Sequence, residues 1–209
     1  MVKSKAVSTL IALVLATAAC GHAQVPDAKA KDGSSSRLDL AGSYSWWSPH
    51  GSVQGFSYND DALGMLFSGT YFFRSNVGFQ VEAERHQQTA TEGMRAFSAG
   101  FAIRTSTNRP VTAFGHALLG ACGVTGPNVS NAGGSGFYEN PQHWGIALTA
   151  GSGLDVATAL FHHRLGLRLI EGDYRYDQIN FGPPQTTTGG LAKINAARLS
   201  TGIVLRFGK

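Results

Sequence analysis

The chain has 209 residues, 27 of them Gly, and only 14% carry a charge, against about 25% in a typical soluble domain. Its formal charge of +4 falls to +2 without Lys3 and Lys5, and no basic block points to nucleic acid. Beyond the first residues, no stretch approaches the roughly 20 apolar residues of a helical membrane span.

Lys3 and Lys5 are followed by an uncharged run over 6–19, then by Gly21 and Ala23 just before Gln24. A positive start, an apolar stretch and small residues at the cut predict a cleaved secretory signal peptide over 1–23. Cys20 after Thr17-Ala18-Ala19 offers a rival reading as a lipidation site, although Thr17 stands where a bulky aliphatic residue normally does. Residues 24–36 are polar, rich in Gly and Ser, and predict a flexible N-terminal tether. Residues 37–209 then form the folded domain. There Cys122 is the lone cysteine, so it brings neither an intramolecular disulfide nor a metal set.

From residue 38 onward the hydropathy alternates with period two, the mark of strands. In the first strand Leu38, Leu40, Gly42, Tyr44 and Trp46 oppose Asp39, Ala41, Ser43 and Ser45. Residues 63–73 supply the second strand. In the third, over 77–87, Val77, Phe79, Val81 and Ala83 oppose Gly78, Gln80, Glu82 and Glu84. The fourth, over 95–105, sets Phe97, Ala99, Phe101 and Ile103 against Ser98, Gly100, Ala102 and Arg104. Residues 111–122, 144–154 and 158–176 supply three more. The last strand, 198–207, puts Leu199, Thr201, Ile203, Leu205 and Phe207 on one face and Arg198, Ser200, Gly202, Val204 and Arg206 on the other. Strand seven changes parity between Leu169 and Ile170. A one-residue slip flips every side chain, so a β-bulge is expected near Ile170-Glu171, with Arg168, Glu171 and Asp173 on one face.

The connections alternate in length. Segments 48–61, 123–143 and 180–195 are long, with a modest one near 89–93. Those at 74–76, near 108–110 and near Asp155 are short. Short periplasmic turns and longer external loops are the habit of membrane barrels. The expected fold is therefore all-β, a single eight-stranded antiparallel up-and-down transmembrane β-barrel. The face opposite the apolar one is mostly small residues with a few charges, which suits the inside of a narrow barrel. Asp39, Glu82, Glu84, Arg104, Arg168, Glu171, Asp173, Arg198 and Arg206 would then meet in the lumen. Buried charges must pair, and their network would plug the bore. Tyr44, Trp46, Trp47, Tyr71, Phe72, Phe73, Trp144, Tyr174 and Tyr176 fall near strand ends, as interfacial girdles do.

With LRLIEGDYRY over 167–176 and RLSTGIVLRF over 198–207, the sequence resembles the small outer-membrane β-barrels of the OmpA/OmpX type, over most of its length. The resemblance implies a monomer in the cell outer membrane of a Gram-negative bacterium, in contact with its lipids and lipopolysaccharide. It also implies insertion by the outer-membrane assembly machinery, which reads an aromatic-ended last strand. Leu199, Ile203, Leu205 and Phe207 match that signal.

Two other readings are weighed. A secreted, soluble lipocalin-like barrel binding a small apolar ligand alternates equally well and differs only in which face is inside. A lipid-modifying enzyme of the outer membrane would need Ser and His near the rim, and His50 with Ser52, His143 and His86 are the candidates. No nucleophile elbow surrounds them, and rim histidines are expected to be solvated. His162 and His163, adjacent in sequence, point to opposite faces of a strand and make no metal pair. The Gly-rich residues 133–136 lack the context of a phosphate cradle. No catalytic set, cofactor or metal is therefore expected, and a structural or surface-interaction role falls to the long loops.

Overall fold

A computed structural model of the chain describes residues 36–53, 56–87, 93–107, 110–125, 142–158, 164–180 and 190–208. The expected signal peptide, the tether except Ser36, the segment 133–136, and His162-His163 lie outside the described residues. The strands are β1 (Leu38–Val53), β2 (Phe56–Tyr58), β3 (Ala62–Phe72), β4 (Val77–Gln87), β5 (Gly93–Arg104), β6 (Val111–Thr125), β7 (Gln142–Ala157), β8 (Leu165–Asn180) and β9 (Leu191–Phe207).

All neighbours pair antiparallel in chain order, and β9 returns to pair with β1 from Leu38↔Phe207 to Ser52↔Lys193. The short β2 pairs only with the far end of β1, Gly51↔Tyr58 to Val53↔Phe56. Eight strands thus close into an up-and-down barrel, and β2 extends its wall as a hairpin. Closure satisfies the backbone of every barrel strand without water, which a sheet surrounded by lipid requires.

The direction of the alternation separates a membrane barrel from a soluble one. Along β4, Phe79, Val81 and Arg85 are exposed, whereas Gln80, Glu82, Glu84 and His86 are buried. Phe67, Phe97, Phe101, Leu119, Ile146 and Ile203 carry the same outward apolar face to other strands. Charges inside and aliphatic or aromatic groups outside reverse the order of a soluble barrel around an apolar ligand. The lipocalin-like alternative is thereby overturned.

The bulge lies where the parity change places it. Leu154 faces Ile170 while Asp155 faces Arg168, and on the other side Arg168 faces Gly202 while Glu171 faces Ser200. Leu169 and Ile170 are consequently both exposed, and Arg168, Glu171 and Asp173 all turn inward. One extra residue reconciles two opposed parities in a single strand.

Several boundaries differ from expectation. Segment 48–61 is a hairpin, because β1 continues through Pro49 and His50 to Val53. Asp155 belongs to β7, which runs on to Ala157, and faces inward. Residues 123–125 and 191–195 are strand rather than loop. The aromatic set divides as well. Tyr44, Tyr71, Phe73, Trp144 and Tyr174 are exposed on the outside, but Trp47 and Phe72 are buried. Trp47 shares its parity with Ser43 and Ser45, so it enters the lumen and not the interfacial belt.

Candidate functional site

Alternate residues of eight converging strands fill the lumen, and the described charges form an unbroken chain through it. It begins where β1 starts and β9 ends. Arg104 on β5 donates to Asp39 Oδ2 at 2.5 Å and to Ser36 Oγ at 3.0 Å, and its guanidinium stacks 3.5 Å from the Phe72 ring centre. Arg206 links Asp39, at 3.9 Å, to Asp155, at 3.4 Å. Arg168 joins Asp155 at 3.0 Å to Glu171 at 3.1 Å and lies 4.1 Å over the Phe114 ring.

The middle of the chain is centred on Arg198, which is 1% exposed. It reaches Asp173 at 2.7 Å, Glu82 at 2.6 Å and Glu84 at 2.5 Å. His116 on β6 bridges the lower and middle parts. Its Nδ1 is 3.7 Å from Glu171 Oε1, and its Nε2 is 3.1 Å from Asp173 Oδ1. Gly151 on β7 makes room for this contact, because a Cβ there would land on Asp173 Oδ1. Arg175 then pairs with Glu84 and donates to Asp177 Oδ1 at 2.8 Å.

Above the charges the lumen changes character. Trp47, Ala62, Met94, Ala96, Cys122, Val124, Ala147, Ile179, Ala192, Ile194 and Ala196 form one buried apolar cluster. It occupies the end where β6–β7 and β8–β9 are joined by the longer connections. The ion pairs in the lumen are thus accompanied by an apolar cap. His86 marks the boundary: its ring centre is 6.0 Å from that of Trp47, and its Nδ1 is 3.8 Å from Glu84.

All nine sequence-predicted lumen charges face the interior, with Asp39 the least buried. Five lumen partners were missed: His86, His116, Asp155, Arg175 and Asp177. Arg175 and Asp177 continue the parity of Glu171 and Asp173, so that signal was available. Leu199, Ile203 and Phe207, the residues of the expected assembly signal, are exposed on the outer face of β9, and Leu205 is half-exposed there.

The rim candidates for catalysis are not brought together. His50 and Ser52 are exposed on β1, and His143 stands on β7, separated from β1 by β8 and β9. His86, expected to be solvated, is 1% exposed. Its Nε2 lies 2.6 Å from Ser45 Oγ, so Ser45, His86 and Glu84 are connected in the order of a Ser–His–carboxylate triad. Ser45 and His86 are each 1% exposed, the His86 ring neighbours that of Trp47, and Glu84 is held by Arg198 and Arg175.

No protein-family model matches the chain, and no curated protein does. Among solved structures, Neisserial surface protein A is similar, with a TM-score of 0.58 at 17% identity over 82% of this chain and 98% of that one. The fold is that of a small outer-membrane β-barrel. The outer membrane protein OprG from Pseudomonas aeruginosa (TM-score 0.47, 13% identity, 84% of this chain and 97% of that chain) also matches. So does the outer membrane protein AlkL (TM-score 0.44, 13% identity, 89% and 98%). A barrel that is apolar outside and ionic inside needs a lipid surround, and the chain is an integral protein of the cell outer membrane.

Proposed function

We propose that this protein is a sealed outer-membrane barrel whose role is structural or is exercised through its long connections at the cell surface. The continuous ion-pair chain from Arg104 to Asp177, together with the apolar cap above it, carries this reading. A narrow lumen filled by paired charges at one end and by Trp47 and its neighbours at the other leaves no wide aqueous path. The barrel has no enzymatic role in this reading, because the buried Ser45–His86 pair has no route to a substrate. Residues 1–23 act as the leader and 24–36 as a periplasmic tether, so the longer connections face outside, where they meet lipopolysaccharide and surface partners. Leu199, Ile203, Leu205 and Phe207 present the last strand to the assembly machinery, and the product is a monomer.

Two measurements on the detergent-folded protein test this. Unheated samples are expected to migrate differently from boiled ones on a cold SDS gel, as closed barrels do. In planar bilayers the wild type is expected to show no large, steady single-channel conductance. A porin-sized conductance would overturn the sealed lumen.

A further inference from the structure

Glu82 on β4, His116 on β6 and Glu171 on β8 project into the lumen from three strands that are not neighbours in the sheet. One ligand atom from each lies within 4.8 Å of the others, and all three residues are buried. Their bonding is unevenly distributed. Glu171 Oε2 accepts from Arg168 at 3.1 Å and from Ser200 at 2.8 Å, whereas Oε1 accepts no hydrogen bond and faces His116 Nδ1. His116 Nδ1 completes no hydrogen bond either, while Nε2 stands 3.1 Å from Asp173 Oδ1. Buried polar atoms left in this state require an explanation, which an ion can supply.

We propose that Glu82, His116 and Glu171 bind a divalent transition-metal cation, with Asp173 orienting the imidazole. His116 Nδ1 lies on the side of Glu171 Oε1 and Nε2 on the side of Asp173. That is the carboxylate–histidine–metal arrangement in which the outer carboxylate fixes the ring and its tautomer. Metal–donor bonds of about 2.0–2.2 Å bring tetrahedral donors to about 3.4 Å apart, so the widest of the present separations, up to 4.8 Å, closes on binding by side-chain rotation. Imidazole with two carboxylates is a donor set that suits zinc and its first-row neighbours.

The charge balance supports the same assignment. Seven carboxylates face the described lumen against five arginines. With His86 and His116 neutral, the excess of two negative charges equals one divalent cation. Protons on the histidines or on two of the buried carboxylates would also restore neutrality, and the experiment must separate a bound cation from bound protons. The site is independent of what the external connections bind.

The test is to unfold the full chain in urea with a chelator, refold it in detergent with Zn2+, exchange the buffer and measure bound zinc. The wild type and the exposed-site control His50→Gln are expected to retain about one zinc per barrel, the stoichiometry of a single three-ligand site. His116→Gln and Glu171→Gln are expected to lose it, and Asp173→Asn to weaken it by about 10–100-fold. X-ray absorption of the zinc-loaded wild type, which needs no variant to fold, is expected to report one imidazole with oxygen donors. A wild type that folds but retains no zinc would overturn the proposal in favour of a lumen neutralised by bound protons. So would zinc retention unchanged by His116→Gln, or a sulfur-ligated zinc.

Discussion

The two ends of the lumen solve the same packing problem with opposite chemistry. Toward the β1 start, the space is filled by arginines and carboxylates, each of which must meet its partner because desolvating an ion costs several kcal/mol. Toward the longer connections, alanines, isoleucines, Met94 and Trp47 fill it with no such demand. An ionic interior fails abruptly when one member is lost, whereas an apolar interior relaxes by degrees.

The sharpest way to break this comparison is to remove the hub of the ionic end. Arg198→Ala removes the cation that Asp173, Glu82 and Glu84 share, and is expected to cost about 3–5 kcal/mol in urea unfolding from detergent micelles. Replacing Arg175 and Asp177 together by apolar residues of similar volume is expected to cost less than replacing Arg175 alone, because no uncompensated charge remains. Equal costs would mean that the pairing is not what holds this end together. On the outer wall, Phe97→Arg places a charge against lipid near the middle of β5, and is expected to cost about 2–4 kcal/mol in folding into vesicles. The smallest effect belongs to the cap: Ile194→Val removes one methyl group and is expected to shift stability by only about 0.5–1.5 kcal/mol.

The same contrast explains what could be read in advance. Where one face is ionic and the other apolar, period two is unambiguous, and β4, β9 and the bulge of β8 follow directly from it. At the cap the inward face is apolar as well: around Cys122 and Val124 small residues blur the alternation, and at Ala192 and Ile194 it reverses, with Lys193 and Asn195 outside, so these segments resemble loop margins. His116 was hidden for a similar reason, lying among Ala117, Leu118 and Leu119. Asp155 follows Gly151-Ser152-Gly153, a cluster that reads as turn punctuation, yet here the glycines leave room for lumen side chains. Pro49 and Gly51 suggested that β1 ends early. Pairing with β9 carries the strand past both, a tertiary effect that local propensity does not contain.

The apolar cap also gives the molecule an internal stopwatch. Cys122 sits in that cluster with no exposed surface, and a buried thiol is chemically silent until its surroundings open. Each modification by a bulky maleimide therefore records one opening of the cap, and its rate at low denaturant reads the local opening equilibrium directly. A native thiol within the cap lets the opening of that end be timed in the unmodified protein.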